Sequence, residues 1–327
     1  MTKIHALKHK EKEIKLDLID KKLLTLLYIN SRERLKVFAK KLKISESNVL
    51  YRINRLKKLI SLEFVILPNY SSLGIKMNLI LIKNRLNSKD YKEIYETFSE
   101  SDNIFYWLNA IGSYSHVIFV FNFDNDILDL SYKLHSITND VKIQEINELN
   151  LSQFSMFNLD INFTGTKSQK IKLTKEAIRI IEAFINNPEA KTINIAEITK
   201  LSVPTIIKYE RELFKKNILI PTVHSNLLGK FNGYCMFYKI GSKKSAEKLK
   251  KYLDNHKHHN FIFEIIGECE VFSLFFTENF SKVLEELEHV RNIDEIIDVE
   301  ILQIQSQEPI VLFNEKIKNK LMQNMRL

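Results

Sequence analysis

The sequence contains little cysteine, glycine and proline, and it has no long hydrophobic run. Its 327 residues include two cysteines, seven glycines, five prolines and one tryptophan. Two cysteines cannot supply a disulfide framework, and Cys235 and Cys269 lie in strand-like runs where buried free thiols are expected. No apolar run reaches the length of a membrane span, and residues 1–15 lack the apolar core of a secretory signal. We therefore predict a cytoplasmic protein that neither spans a membrane nor depends on disulfides.

Motifs of the common enzyme classes are also missing. The chain has no phosphate-binding loop, no dinucleotide fingerprint and no nucleophile elbow. The run HKHH at 256–259 could ligate a metal, but adjacent histidines in a polar loop do not easily converge on one ion. Trp107, beside Phe105 and Tyr106, could stack a ligand, although core packing in a strand is the more ordinary role. We predict no metal, no cofactor and no enzymatic activity.

Positive charge is what the sequence has in excess, and it is concentrated in one stretch. The formal net charge is +9, and residues 32–58 alone contain ten Lys or Arg and two acids, which gives 10 − 2 = +8. Most charge runs are solvated helical faces. A block of one sign in a basic chain instead indicates an acidic polymer as the partner, so we predict that this stretch binds double-stranded DNA.

The same stretch has the pattern of a helix-turn-helix motif. Residues 35–42 place apolar side chains at helical spacing, Lys43 and Ile44 form a short turn, and Ser45 is a good N-cap for a second helix. The second helix of such a motif enters the major groove of DNA. A preceding helix over 17–29, capped by Asp17, and a strand over 62–67 complete a predicted winged helix-turn-helix.

The predicted DNA-binding residues lie on the second helix, in the turn and at the end of the first helix. They are Lys40, Lys41, Lys43, Ser45, Glu46, Ser47, Asn48, Tyr51, Arg52, Asn54, Arg55, Lys57 and Lys58. Asn48, Tyr51, Arg52 and Arg55 are the candidates for base contacts, because amide and guanidinium groups match base edges. The five lysines are the candidates for phosphate contacts.

The pattern changes to mixed strands and helices from Met77 onward. Residues 77–151 follow the order β-α-β-β-α-β, which is that of a ferredoxin-like sandwich. In HVIFVFNF, residues 116–123, apolar side chains occupy both alternating sets, so both faces of the sheet must be buried. We expect a second sheet to cover the face that the two helices leave open.

The whole plan then repeats once along the chain. Gly74 matches Gly229 and Gly112 matches Gly267, each pair 155 residues apart (229 − 74 = 267 − 112), and Ser45 matches Ser202 at a separation of 157. We predict an α+β protein with two winged helix-turn-helix domains and two ferredoxin-like βαββαβ domains in tandem repeat. The predicted segments are a flexible basic arm (1–15), winged helix-turn-helix 1 (16–72), ferredoxin-like domain 1 (73–158), a linker (159–172), winged helix-turn-helix 2 (173–227), ferredoxin-like domain 2 (228–307) and a C-terminal helix (308–327).

The second helix-turn-helix is predicted to bind DNA less strongly than the first. Residues 191–216 contain six Lys or Arg and three acids, which gives 6 − 3 = +3. Tyr209 and Glu210 replace Arg52 and Ile53, and Glu210 and Glu212 would repel a phosphate backbone.

Residues 16–60 resemble the opening of the Lrp/AsnC (leucine-responsive / asparagine-synthesis) family of regulators. The residues that carry the resemblance are Leu16-Asp17…Asp20, Asn30-Ser31-Arg32, Phe38-Ala39-Lys40-Lys41-Leu42 and Ser45…Val49…Arg52-Ile53…Leu56. The resemblance implies a DNA-binding transcription regulator whose winged helix-turn-helix precedes a βαββαβ effector domain that pairs sheet to sheet. Because both effector-type domains lie in one chain, we expect an intramolecular pseudo-dimer or a homodimer and an asymmetric DNA site.

Two departures from the family pattern affect the expected exit from the recognition helix and the expected effector. Family members usually have glycine after the recognition helix, where this chain has Ile60 and, in the second unit, Asn217. Amino-acid-binding members carry a Gly-x-x-Asp turn, which reads GSYS at 112–115 and GECE at 267–270 here. These turns argue against amino-acid sensing and leave another small-molecule effector as an open partner.

Two alternative functions stay open at this point. The sirohaem decarboxylases resemble the same fold, also occur as duplicated chains and act on a tetrapyrrole, but their wing is rich in arginine whereas residues 63–70 read EFVILPNY here. A second alternative is an adaptor that uses its sheets to bind protein rather than DNA.

Overall fold

A computed structural model describes residues 2–4, 7–8, 16–83, 88–99, 101, 103–123, 126–150, 173–225, 232–255, 259–266, 271–277, 279–307 and 310–325. The predicted linker (159–172), residues 256–258 of the histidine run and the turn at 267–270 with Cys269 lie outside the described residues. Within the ranges given, no helix combines the length and the apolar composition needed to cross a membrane.

The first part of the chain forms two short strands and a three-helix unit. In order these are β1 (Thr2–Ile4), β2 (Leu7–Lys8), α1 (Leu18–Ile29), α2 (Leu35–Leu42), α3 (Glu46–Leu59) and β3 (Glu63–Pro68). The predicted caps are confirmed: Asp17 accepts from the N–H of Asp20 at 2.8 Å, and Ser45 Oγ accepts from the N–H of Asn48 at 3.2 Å. The apolar stripe of α3 is buried against α1 and α2.

The remaining elements confirm the tandem α+β architecture. The first sandwich consists of β4 (Lys76–Lys83), α4 (Ser88–Ser99), β5 (Ile104–Ile111), β6 (Tyr114–Asn122), α5 (Asp126–Ile137) and β7 (Val141–Asn150). The second helical unit is α6 (Lys175–Asn186), α7 (Thr192–Thr199), α8 (Val203–Lys215) and β8 (Leu219–His224). The second sandwich is β9 (Asn232–Ile240), α9 (Lys243–Asn255), β10 (His259–Ile266), β11 (Val271–Thr277), α10 (Ser281–Arg291) and β12 (Ile296–Gln307), followed by β13 (Ile310–Phe313) and α11 (Glu315–Asn324).

The two sandwiches join into one closed barrel of eight antiparallel strands. Their strand orders are β5-β6-β4-β7 and β10-β11-β9-β12, and β7 pairs with β10 while β12 pairs with β5. Phe119 and Phe272, one from each sandwich, meet inside the barrel with ring centroids 5.4 Å apart. The expected cover for the open sheet faces is therefore provided by barrel closure, which also removes unpaired strand edges.

Gly112 marks one seam of this barrel. Its φ is +148°, and a Cβ at this position would lie 2.5 Å from Leu302 Cδ2 and 3.2 Å from the carbonyl oxygen of Ile301. The turn at 112–115 therefore needs glycine for the close approach of β12.

The ends of the chain differ from the prediction. The described part of the predicted flexible arm is paired backbone: β1 lies against β13, and β2 lies against the end of β12. The C-terminal segment contains the strand β13 before its helix, which Asn314 caps by accepting from the N–H of Ile317 at 2.9 Å. These pairings join residues about 300 positions apart, so no local pattern predicts them.

The two helical units share one wing. β3 pairs antiparallel with β8, from Glu63 opposite His224 to Pro68 opposite Leu219, so each unit supplies one strand. The turn after α3 has its positive φ at Ser61 (51°) rather than at Ile60, which is fully buried, while Asn217 (50°) adopts the expected conformation in the second unit. The exit from α3 is therefore shifted by one residue from the predicted position.

Candidate nucleic-acid interface

The turn between α2 and α3 presents a cationic surface to solvent. Lys43 ends α2 in the left-handed conformation (φ 57°), which lets α3 start only three residues later. Lys40, Lys41, Lys43 and Lys58 are exposed, and none of them forms an ion pair within the part of the chain that the structure describes. Six further predicted DNA-binding side chains are exposed beside them: Ser45, Glu46, Ser47, Asn48, Tyr51 and Asn54.

Arg52 and Arg55 point toward α1 rather than toward solvent. Arg52 Nη1 lies 2.8 Å from Asp17 Oδ2 and 2.7 Å from Asp20 Oδ1, and Arg55 bonds the other oxygen of Asp20. The Asp20 side chain has no exposed surface, and that of Arg52 is 15% exposed. The prediction that these arginines contact bases is therefore corrected: their guanidinium groups hold α3 against α1.

The electrostatics of this cluster agree with a structural role. The hydrogen bonds from Arg52 to Asp17 and Asp20 raise the pKa of that guanidinium above its ordinary value, against a smaller effect of burial. Burial alone would raise the pKa of Asp17, but its bonds to Arg52 and to the backbone outweigh that effect and lower it. Both shifts favour the charged forms of Arg52 and Asp17.

The second unit fills the same positions with a neutral pair. Tyr209 and Thr174 stand 157 residues after Arg52 and Asp17 (209 − 52 = 174 − 17), and the Tyr209 hydroxyl lies 3.1 Å from Thr174 Oγ1. Ala177 takes the place of Asp20. The contact between the first and third helices is therefore kept while its charge is lost, as expected for packing residues.

Lys57 faces the second helical unit. Its Nζ lies 2.8 Å from Glu189 Oε2 and 4.8 Å from the centroid of the Phe64 ring. Unlike the four exposed lysines, it is half-buried and already has an anionic partner. The structure therefore places it at the contact between the two units.

Arg32 is a contact residue that the sequence analysis did not identify. Its Nη1 donates to the carbonyl oxygens of Pro188 and Ala190, both at 2.9 Å, and its Nη2 lies 3.1 Å from Glu210 Oε1. The guanidinium carbon is also 5.1 Å from the centroid of the Phe184 ring. The Asn-Ser-Arg connector was the available signal, but nothing in it shows that the partner is 156 to 178 residues away.

The acids of the second unit are engaged within the protein. Glu210 bonds Arg32, and Glu212 bonds Lys216 at 2.6 Å. Each acid therefore has a cationic partner, which weakens the argument that these two acids repel a phosphate backbone.

Outside the helical units, a cleft of about 630 Å³ lies between α4 and α5. Glu93, Glu96 and Asp129 line it together with Lys133 and Lys316. Among the residues that the structure describes, no three His, Cys, Asp or Glu side chains are grouped as a metal site. The cleft is thus a surface feature of mixed charge.

Trp107 is a core residue, which is the ordinary role expected for it in a strand. It is 3% exposed and packs under α4 against Phe98. Its indole Nε1 donates to Nδ1 of His116 at 3.2 Å. Burial lowers the pKa of His116 from 6.5 to about 4, so this histidine is neutral at ordinary pH.

A protein-family comparison matches the first helical unit. The model described as the AsnC-type helix-turn-helix domain covers residues 16–57, which include α1, α2 and nearly all of α3. Residues 16–57 are an AsnC-type helix-turn-helix domain. The resemblance inferred from the sequence is therefore confirmed, and in this AsnC-type domain α3 occupies the position of the recognition helix.

The similarity to solved structures extends beyond residues 16–57. The siroheme decarboxylase NirDL has a TM-score of 0.60 and 12% sequence identity, covering 94% of this chain and 100% of that chain. NirDL in co-complex with an iron-uroporphyrin III analogue gives the same score and identity. E. coli AsnC is 19% identical over 43% of this chain and 93% of that chain, with a TM-score of 0.34. No curated protein matches the sequence.

The NirDL likeness overturns the prediction that the protein is not an enzyme. The NirDL structure covers 94% of this chain and is that of an enzyme. The fold alone therefore does not show whether a protein is a regulator or an enzyme. The prediction rested on missing enzyme motifs and on a wing without arginine, and neither of these features excludes a fold that is shared with an enzyme. At 12% identity, the likeness concerns the fold alone.

Proposed function

We propose that this protein is a sequence-specific double-stranded-DNA-binding transcription regulator. The observation that carries the proposal is the free cationic surface of α2, the turn and α3 within the AsnC-type domain. Four exposed lysines, which have no partner among the described residues, lie beside the exposed face of the recognition helix. Such a surface attracts phosphates, and a helix of this diameter fits the major groove.

The proposed roles follow from exposure. Lys40, Lys41, Lys43 and Lys58 bind phosphates, which supply most of the affinity but no sequence information. The base-reading candidates are the exposed polar side chains of α3, among which Asn54 can pair with adenine through two hydrogen bonds. Asn48 is exposed as well, but its Oδ1 accepts from Arg52 Nε at 3.1 Å, so its orientation is fixed by the structural cluster.

The Lys40→Ala/Lys41→Ala double variant is expected to weaken binding to all duplex sequences alike. Each lost phosphate contact lowers the slope of log K against log salt by about 0.9, so the double variant should lower it by about 2. Fluorescence anisotropy with a labelled duplex, titrated at several salt concentrations, measures both quantities. The matched control is Lys243→Ala/Lys244→Ala, which removes two adjacent exposed lysines from α9. Equal slopes for the two double variants would contradict the assignment.

A second candidate function is an enzyme acting on a tetrapyrrole, and the fold shared with siroheme decarboxylase NirDL is the observation that favours it. The described side chains fit such a substrate poorly. The cleft between α4 and α5 carries three carboxylates against two lysines, which gives no net positive charge for the carboxylates of a uroporphyrin-type macrocycle, and the described strand β3 has Glu63 and no arginine. We therefore rank it second.

An absorbance titration with iron uroporphyrin separates the two candidates. If DNA binding is the function, the Soret band of the porphyrin should not change on addition of the protein, and the duplex should bind at low salt. A saturable Soret shift at stoichiometric protein, together with no binding of duplex DNA, would replace the first proposal with the second.

A further inference from the structure

The recognition helix of the second unit presents an exposed, basic stripe. Lys208, Arg211 and Lys215 recur at helical spacing on α8, and all three are exposed. None of them forms an ion pair with another described residue. They stand 157 residues after Tyr51, Asn54 and Lys58, the outward face of α3 (208 − 51 = 211 − 54 = 215 − 58). The stripe therefore occupies the position at which the AsnC-type domain meets DNA.

Counting exposed charges removes most of the apparent difference between the two units. Over residues 34–58 six exposed cations stand against one exposed acid, which gives 6 − 1 = +5, and over 191–215 five stand against one, which gives 5 − 1 = +4. Over the same residues the full counts are 9 − 1 = +8 and 5 − 3 = +2. The difference shrinks because Arg52, Arg55 and Lys57 in the first unit and Glu210 and Glu212 in the second have partners within the protein.

The cations are distributed differently in the two units. In the first unit they lie mainly on α2 and the turn, whereas the exposed side chains of α7 include Ile193, Glu197 and Ile198. In the second unit three of the five lie on the recognition helix itself. The first unit thus combines a basic flank with a mostly neutral reading face, and the second combines a neutral flank with a basic reading face.

We propose that α8 is a second DNA-reading helix, and that it reads a half-site different from the one read by α3. Arg211 would bind guanine through O6 and N7, the commonest specific contact in the major groove. The exposed apolar side chains of Val203 and Ile207, 36% and 45% exposed, would contact thymine methyl groups. Asn54, at the position equivalent to Arg211, favours adenine instead.

The contacts between the two units fix the two recognition helices relative to each other. The shared wing pairs β3 with β8, while Arg32 and Lys57 contact Phe214 and Glu189, respectively. These contacts join equivalent positions in opposite directions (189 − 32 = 214 − 57 = 157), which is the arrangement of a two-fold axis. A two-fold pair of readers with unlike faces specifies a bipartite site with unlike halves. This inference rests on the proposed function.

The test begins with selection of bound duplexes from a random pool by the full chain, followed by footprinting of the selected sequence. Two unlike protected half-sites are expected. Arg211→Ala should lower affinity for the selected duplex about tenfold, and its loss of discrimination should be confined to one half-site. Asn54→Ala should show the same behaviour at the other half-site.

Arg291→Ala is the matched control, because it removes an exposed arginine from α10 on the barrel. It should bind the selected duplex with unchanged affinity, and circular dichroism should show that all three variants are folded. One protected half-site, with Arg211→Ala binding as tightly as the control, would overturn this inference and leave the proposed function intact. No binding of any duplex would overturn both.

Discussion

Replacing Asp20 with alanine is expected to lower the free energy of unfolding by about 3 kcal/mol, because it removes the central acid of a buried ion cluster. The Asp20 carboxylate has no exposed surface, and each of its oxygens bonds a different arginine of α3. Without it, Arg52 keeps only the half-exposed Asp17 as an ion-pair partner, and Arg55 loses its bond to Asp20. Asp20 also completes the cap of α1 by accepting from the N–H of Asp17 at 3.2 Å, and that bond is lost with it.

Urea denaturation followed by circular dichroism measures this loss. Glu288→Ala is the matched control, since it removes an exposed acid from α10, and it should change the stability by less than about 0.5 kcal/mol. If Asp20→Ala were as stable as the control, the cluster would not be structural and Arg52 and Arg55 would again be candidates for base contacts.

A triple substitution that introduces the residues of the second unit tests whether the two units share this packing. Asp17→Thr, Asp20→Ala and Arg52→Tyr introduce the residues found at 174, 177 and 209, where a threonine and a tyrosine hydroxyl lie 3.1 Å apart. Neutral replacements of a buried ion cluster are often no less stable than the cluster itself. The triple variant should therefore be more stable than Asp20→Ala alone. A triple variant less stable than the single one would show that the two units do not share this packing.

Acid is expected to destabilise the first sandwich through His116, by an amount on the order of 3 kcal/mol. Burial lowers the pKa of this side chain from 6.5 to about 4 in the folded protein. The folded state therefore binds fewer protons than the unfolded state between these values. The stabilising effect of the neutral ring is complete above pH 6.5 and is lost as the pH falls from 6.5 to 4.

The variant His116→Asn should remove most of this pH dependence. Its carboxamide oxygen can still accept from Trp107 Nε1, which donates to the imidazole at 3.2 Å, but it does not titrate. Urea unfolding at pH 7 and pH 4.5, followed by tryptophan fluorescence, measures the difference, since Trp107 is the only tryptophan in the sequence. His289→Asn, at an exposed position on α10, is the control. An unchanged pH dependence in His116→Asn would show that other groups govern acid unfolding.

The predicted site and the observed site differ where distant residues meet. The positions of α2, the turn and α3 followed from apolar spacing and from the Ser45 cap, which act within a few residues. Arg52 and Arg55 satisfied the same local criteria for an outward-facing reader, yet their partner Asp20 lies more than 30 residues earlier. Arg32 and Lys57 found partners in the other half of the chain. The charge of each segment could be counted from the sequence. Which of the charged side chains remain available to DNA could not be predicted from it.

The amino-acid sequence by itself determined the elements of this protein, their duplicated order and the likeness of its first unit to the AsnC-type domain. Helix periodicity, caps and turn residues are local properties, so they can be recognised in a single sequence. Tertiary structure alone decided that the two sheets close into one barrel, that the two units share a wing, and which cations stay free. Those outcomes depend on contacts between residues far apart in the chain. Each contact stabilises the protein only after folding has brought both partners together, so no local pattern reports it.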